Sequence, residues 1–352
     1  MFFSRLTLQS VRILESVDIE LLDRLNVITG PNGSGKTSVL EALHILARGK
    51  SFRSPRIREV IRRQTDQLLV AATVHKSDKN IHCGVQRDTR QTVMKYNGDP
   101  VRSLSEQAKQ LPILVLTPDS VSVMTGLPRE RRRWLDWLMF HVEPDYLTIW
   151  NQFQKALRNR NSLLRAEASD SEFQPWESTM NECCIRLQAS IENVLCLMQS
   201  ELQTCLNVYL EGEATLRYLP GWNAEGSYGD YLQEHRQQHR ESGYTSGGPQ
   251  RSDLVFEVDG LSVSRVFSRG QAKMFLLALC LAEASIIFRM TEDSPVLLLD
   301  DICSELDDES TKKVIQNLKS SAFQCILTTT QAIPADNDIK VFHVEHGQFK
   351  QR

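Results

Sequence analysis

The chain has 352 residues, of which 41% are hydrophobic and 24% charged, and it carries a formal net charge of −3. This length is enough for one large core or two smaller ones, and the ordinary composition excludes a disordered chain. No apolar run comes near the roughly 18 to 20 residues of a membrane span, and the small net charge gives no overall attraction for nucleic acid.

The N-terminal third predicts strands and one helix. Alternating apolar residues predict strands around 6–11, 17–21 and 25–29, and the third strand ends in a glycine-rich turn. A helix is predicted from Ser38 to Leu46, closed by Gly49. Further strands are expected around 68–75, 81–86, 93–96 and 113–116.

The pattern changes at about Asp119, where long amphipathic stretches at 128–141, 145–165 and 176–210 predict an all-helical insertion. A strand pattern returns at 254–263, followed by a helix over 270–287 and an apolar strand over 296–299. We therefore expect an α/β core with one lobe formed by 1–118 and 245–352, interrupted by a helical lobe of 119–244. No heptad run is long enough for a coiled-coil arm.

The N-terminus lacks the regions of a secretory signal, and none of the eight cysteines forms a Cys-x-x-Cys pair. Most of the cysteines are expected to be small buried residues in a reducing compartment. These features favour a cytoplasmic location.

The turn after the third strand satisfies G-x-x-x-x-G-K-[ST], placed as a phosphate-binding loop requires, between a buried strand and a helix. Glycines let backbone N–H groups and the helix N-terminus point at phosphates. Lys36 is expected to contact the β- and γ-phosphates of ATP, and the Thr37 hydroxyl to ligate Mg²⁺. A chance glycine-rich turn is the alternative. The candidate binding residues are Gly30, Pro31, Asn32, Gly33, Ser34, Gly35, Lys36, Thr37 and Ser38.

The apolar strand over 296–299 delivers Asp300 and Asp301 at its C-terminal end, where open α/β sheets bind ligands. This is the Walker B arrangement, in which Asp300 would hold Mg²⁺ and Asp301 would orient or deprotonate the attacking water. As catalytic residues we predict Asp301 together with Lys36. A pair of acidic helix caps is the alternative reading.

Ser268, Gly270 and Gln271 open the helix that precedes this strand, and Ser304-Glu305-Leu306-Asp307 follows it. A polar helix start is often a plain cap. The order of the four motifs nevertheless resembles that of ABC-type ATPases, with a signature motif and a D-loop. In that family the signature serine contacts the γ-phosphate held by a partner's phosphate loop, which implies a head-to-tail homodimer that forms on ATP.

Within this class the chain resembles the RecF family along nearly its whole length. The matching segments are Leu40-Glu41-Ala42, Gly49-Lys50-Ser51-Phe52-Arg53, Thr117-Pro118-Asp119, Arg131-Arg132-Arg133-Trp134-Leu135-Asp136, Gly248-Pro249 and Asp253-Leu254. The resemblance implies an ABC/SMC-type ATPase head and a weak DNA-dependent ATPase of recombinational repair and replication restart. It further implies binding to single-stranded, gapped or junction DNA, and help to RecO and RecR in loading RecA and inducing the SOS response.

The chain departs from related patterns at two places where transporter-type ATPases carry a γ-phosphate sensor. Those regions read Thr117-Pro118-Asp119 and Thr328-Thr329-Thr330-Gln331, without the usual Gln and His. Gln250 also stands where the RecF pattern often has His. We therefore assign no γ-phosphate sensor from the sequence.

The densest positive charge lies between residues 48 and 63, where seven Arg and Lys residues are interrupted by one acid. Such a run is often a solvated face, and Arg53 follows the phosphate-loop helix closely enough to reach the nucleotide instead. Our DNA candidates are Arg53, Arg56, Arg62 and Arg63. Charge removal at the last three is expected to weaken DNA binding while sparing ATP binding. A second basic cluster, 129–133, starts a helix and needs a partner there.

Three other functions compete. A transporter subunit is disfavoured by the missing Gln and His and by the large helical insertion. An SMC-like structural head would need a far longer coiled coil. A non-catalytic adaptor that binds ATP without hydrolysis stays open, because Asp301 stands where ABC ATPases commonly have Glu.

Overall fold

A computed structural model describes residues 1–166, 168–223 and 226–351 of the chain. The chain forms two compact units. The first consists of Met1–Ser120 and Arg269–Arg352, and the second of Val121–Ser268.

The strands of the chain are β1 (Phe2–Val11), β2 (Leu14–Glu20), β3 (Leu25–Thr29), β4 (Leu68–Lys76), β5 (Lys79–Arg87), β6 (Thr92–Tyr96), β7 (Asp99–Pro100), β8 (Ile113–Leu116), β9 (Ala214–Leu219), β10 (Asp253–Val258), β11 (Leu261–Ser262), β12 (Val296–Asp300), β13 (Cys325–Thr329), β14 (Ile339–Glu345) and β15 (Gln348–Gln351). The helices are α1 (Lys36–Arg48), α2 (Leu104–Gln110), α3 (Ser122–Thr125), α4 (Pro128–Val142), α5 (Tyr146–Arg165), α6 (Asp170–Leu206), α7 (Tyr228–Glu234), α8 (Arg236–Ser242), α9 (Val263–Val266), α10 (Arg269–Thr291) and α11 (Asp308–Ser320).

The first unit contains a six-stranded mixed sheet in the order β15-β14-β3-β13-β12-β8. Its strands pair in parallel except for β15, which is antiparallel to β14. Every residue of β3, β12 and β13 is buried, as expected for parallel strands covered on both faces. The carboxyl ends of these three strands meet at one edge.

A second sheet of the first unit is antiparallel, in the order β2-β1-β4-β5-β6-β7. Buried and more exposed residues alternate along β4, which shows that one face of this sheet covers a core. Helix α1 contributes to the same hydrophobic core as Leu6 and Leu8 of this sheet and Leu298 and Ile326 of the mixed sheet. Packing against both sheets fixes the helix that follows the predicted phosphate loop.

Helix α10 is long and apolar enough to cross a membrane by length and composition alone, so the expectation of no such run was wrong. Its most apolar window is 72% buried inside the protein. Apolar residues of α10 are distributed around its whole circumference, as in a helix enclosed by a protein core. Burial therefore identifies α10 as a core helix.

The second unit is not all helical, which corrects both the predicted character of the lobe and its second boundary. Strand β10 pairs with β9 along its full length and also with β11, forming a three-stranded antiparallel sheet. Because these strands hydrogen-bond to one another, β10 belongs with the helical unit. That unit extends to Ser268, beyond the predicted boundary at 244/245.

Candidate nucleotide site

The loop between β3 and α1 has a backbone that only glycine accommodates easily. Gly30, Gly33 and Gly35 have φ values of 148°, 78° and 114°. A Cβ atom at Gly30 would lie 2.1 Å from the carbonyl oxygen of Val344, and one at Gly35 would lie 2.7 Å from Cδ2 of Leu14. Backbone conformation therefore explains the glycine at each of the three positions. Close packing is a second reason at Gly30 and Gly35.

The side chain of Lys36 lies over this loop. Its Nζ donates hydrogen bonds to the carbonyl oxygens of Gly30 at 2.8 Å and Pro31 at 2.9 Å. Burial lowers the pKa of Lys36, while the carboxylates of Asp301 and Asp300 act in the opposite direction. The amine is thus held in a partly dehydrated position, where an anion would favour its charged form.

Two candidate Mg²⁺ ligands already touch each other. The Thr37 hydroxyl donates to Oδ1 of Asp300 at 2.8 Å, and the Thr328 hydroxyl donates to the same oxygen at 2.7 Å. The described residues contain no group of three or more His, Cys, Asp and Glu side chains that would enclose a metal. A hydroxyl and a carboxylate suit Mg²⁺, which retains several waters and takes few protein ligands beside a phosphate.

Asp301 has a strained backbone and a carboxyl oxygen without a partner. Its φ is 51°, and its N–H donates to Thr328 at both the carbonyl oxygen, 3.1 Å, and Oγ1, 3.0 Å. Burial raises its pKa. Its Oδ1 is buried without a hydrogen bond, as is the hydroxyl of Ser34 in the loop. The unpartnered Asp301 oxygen, next in sequence to the candidate metal ligand Asp300, fits a polar ligand or its water.

Lys36, Thr37 and the two aspartates line one cavity of about 770 Å³. Of the residues predicted to bind the nucleotide or Mg²⁺, those that line it are Asn32, Gly33, Gly35, Lys36, Thr37, Ser38, Asp300 and Asp301. Thr328, in the segment where no sensor was assigned, also lines the cavity and bridges the two aspartates. The residues present fit a Mg²⁺-nucleoside triphosphate.

The structure changes the expectation for the basic run. Arg53, Arg62 and Arg63 line the cavity, whereas the Arg56 side chain is 82% exposed and lies beside Glu59. Because Arg62 and Arg63 line the cavity, removing their charge is no longer expected to spare ATP binding. Removing the charge of Arg56 is still expected to weaken DNA binding while sparing ATP binding.

Arg12 also lines the cavity and was missed by the sequence reasoning. Its guanidinium donates from Nε and Nη2 to the two carboxylate oxygens of Glu41, both at 2.8 Å. Glu41 is fully buried on α1 and also accepts a hydrogen bond from the Ser51 hydroxyl. A carboxylate inside an apolar helix signals a buried cationic partner, but the sequence does not say which one.

The signature-like residues do not line this cavity. Gly270 and Gln271 lie in the first turn of α10, outside the lining, and Ser268 is the last residue of the other compact unit.

The second basic cluster has structural partners inside its own unit. Arg131 forms a bidentate pair with Asp253, with distances of 2.7 and 3.0 Å, and Arg132 donates to the Ser252 carbonyl at 2.6 Å. These two arginines fasten α4 to the first residue of β10 and to the residue before it. Only the flanking arginines of the cluster, 129 and 133, remain largely exposed.

A family model described as RecF/RecN/SMC N terminal domain matches residues 2–350. A protein from Vibrio parahaemolyticus called DNA replication and repair protein RecF is 34% identical, with 99% of both chains covered. The chain belongs to the RecF family. A RecF from Pseudoalteromonas translucida is 32% identical over the full length of both chains.

Solved structures show the fold of this RecF-family chain. A structure of the recombination mediator protein RecF-ATP in the RecFOR pathway superposes with a TM-score of 0.86 at 24% identity, covering 100% of this chain and 97% of the other. An Smc head domain from Pyrococcus furiosus gives a TM-score of 0.62 at 17% identity, covering 100% and 96%. The α/β ABC/SMC-type head fold is thus confirmed.

Proposed function

We propose that this RecF-family chain is an ATPase of DNA repair and recombination, in which Mg²⁺-ATP occupies the cavity of the first unit. One observation carries the proposal. The Lys36 amine, the Thr37–Asp300 oxygen pair and the unpartnered Asp301 carboxyl oxygen line one cavity next to a glycine loop.

The chemistry follows from positions. Backbone N–H groups at the start of α1 and the Lys36 amine bind phosphate oxygens and offset the charge that develops on them. Thr37 and Asp300 would hold Mg²⁺, which when bound shields the phosphates and orients them for attack. Asp301 orients a water through its free oxygen and accepts its proton.

The reaction is proposed to be slow in a single copy, because Ser268, Gly270 and Gln271 would complete the site of a partner. ATP then joins two copies head to tail, and hydrolysis releases them. The names of the relatives, DNA replication and repair protein RecF, support a role in DNA replication and repair. We propose that the chain performs it in the cytoplasm. We further propose that the chain binds single-stranded, gapped or junction DNA and that this DNA stimulates hydrolysis. We propose RecO and RecR as its partners in RecA loading and SOS induction.

A non-catalytic adaptor is the second candidate. Asp301 is one methylene shorter than the glutamate common at this place, so its carboxylate reaches less far into the cavity. Under this reading ATP binding alone would drive dimerisation.

Phosphate release separates the two. We expect measurable release from the wild type, its loss in Asp301→Asn with ATP binding retained, and loss of binding in Lys36→Ala. Asp338→Asn, at an exposed acid paired with Lys319, is the matched control and should behave as the wild type. Equal release from the wild type and Asp301→Asn would contradict catalysis by this residue.

A further inference from the structure

Lys273 makes contacts that the proposed mechanism does not use. It lies in the first turns of α10, two residues after Gln271, and only 10% of its side chain is exposed. Its Nζ donates to the carbonyl oxygen of Ser304 at 2.5 Å and to the Ser304 hydroxyl at 2.6 Å. Glu305 Oε2 lies 3.5 Å away. One buried ammonium thus binds the turn that follows β12.

That turn also contains Asp301. The Ser304 hydroxyl donates to the Asp301 carbonyl oxygen at 2.7 Å, and the Ser304 N–H donates to the same oxygen at 3.2 Å. Glu305 has a positive φ of 66°, so the turn is held in an unfavourable conformation. Lys273, Ser304 and Asp301 therefore form a continuous chain of hydrogen bonds.

A lysine at this place is unfavourable unless something offsets it. The N-terminal end of a helix carries partial positive charge, and burial adds a desolvation cost to the ammonium. The Ser304 acceptors and the Glu305 carboxylate supply that compensation. Arg269 adds a weaker contact to the same carboxylate, at 3.4 Å and largely exposed. The first turns of α10 are thus fastened to the 301–305 turn at two points.

We propose that Lys273 is a positioning residue that couples the start of α10, with Gly270 and Gln271, to Asp301 of the same chain. This inference rests on the proposed function. In the dimer the start of α10 meets the nucleotide of the partner, while Asp301 acts on the nucleotide of its own chain. A displacement of the helix start on contact with one nucleotide therefore reaches the water-orienting carboxylate of the other site.

The test compares Lys273→Met, Lys273→Arg and a matched control, Lys313→Met, at a half-exposed lysine paired with Glu309 on α11. Steady-state phosphate release is measured over a range of ATP concentrations. We expect Lys273→Met to lower kcat by about ten-fold or more, with KM for ATP nearly unchanged. This loss should be smaller than the loss on removing the general base itself. Lys273→Arg keeps a cation and its donors and should recover most of kcat. Lys313→Met should match the wild type.

A second variant covers the case in which Lys273→Met does not fold. Ser304→Ala removes the hydroxyl that links lysine to aspartate and should lower kcat in the same way. The double variant should be no slower than the slower single variant, because both changes break one chain of contacts. Additive losses, unchanged kcat, or a fall in kcat matched by a rise in KM would overturn the proposal.

Amide hydrogen exchange without nucleotide separates this proposal from the proposed function. Lys273→Met should increase exchange at the 301–306 turn and leave α1 unchanged. A wild type that binds ATP but releases no phosphate would contradict the proposed catalysis, and the exchange result would still decide the coupling. Unchanged exchange at the turn would refute the coupling in that case.

Discussion

The pair between Arg12 and Glu41 gives a sharp test of how the cavity wall is built. The perturbation is Glu41→Gln, which keeps the shape of the side chain and removes its charge. Glu41 is fully buried, and the Arg12 side chain is 22% exposed. Both carboxylate oxygens accept from this guanidinium, and Ser51 donates to one of them.

The expected loss follows from these contacts. A hydrogen bond to a charged group is worth roughly 1.5 to 3 kcal/mol, and the amide keeps only one acceptor oxygen. Removing one partner of a buried pair costs about 3 to 5 kcal/mol. Because Arg12 retains some contact with water, we expect the lower end, about 3 kcal/mol of unfolding free energy.

The assay is urea denaturation, with Asp18→Asn as the matched control. Asp18 receives the same bidentate contact from Arg5, at 2.8 and 2.6 Å, but both side chains are about half exposed. The control should show no measurable change, since exposed pairs contribute little. ATP affinity should also fall in Glu41→Gln, because Arg12 and Arg53 line the cavity and lose their anchor. A stability loss below about 1 kcal/mol, or one equal to the control, would refute this reasoning.

Three further predictions follow. Burial and the charge of Arg48 lower the pKa of His44 to about 3, below the roughly 6.5 of an unfolded chain, so the unfolded state takes up the proton first as pH falls. The wild type should therefore lose about 2 kcal/mol more than His44→Gln between pH 7 and pH 5 in urea titrations, and parallel losses would contradict the assignment. Thr328→Val removes the hydroxyl that bridges Asp300 and the Asp301 N–H, and it should raise the Mg²⁺ concentration for half-maximal phosphate release by roughly ten-fold or more. An unchanged Mg²⁺ titration would exclude that role. Arg56→Gln should weaken DNA binding and its salt dependence while sparing ATP affinity, since this side chain lies outside the cavity lining; a normal DNA titration would remove Arg56 from the interface.

The sequence allowed the strand–loop–helix of the phosphate loop and the strand carrying Asp300 to be predicted, because local apolar runs and glycines determine both. Helix α10 was located correctly, but its apolar length was underestimated. By length and composition α10 could cross a membrane, and its burial inside the protein identifies it as a core helix. Such packing is a long-range property that periodicity does not report.

Partners distant in sequence could not be predicted. The membership of β10 in the second unit depends on pairing with β9, some way back along the chain. The placement of Arg62 and Arg63 beside the cavity depends on the antiparallel sheet, where the carbonyl oxygen of Ile13 accepts from Arg62 at 2.6 Å. A run of positive charge in the sequence does not distinguish residues that line a nucleotide-binding cavity from residues on a DNA-binding surface.

Sedimentation of the wild type and Ser268→Arg, each with ADP and with ATP and with or without gapped DNA, tests the central claim most directly. The account predicts that ATP alone makes the wild type dimeric, that the variant stays monomeric, and that the dimer retains the DNA. Association that ignores both ATP and Ser268 would contradict the composite site.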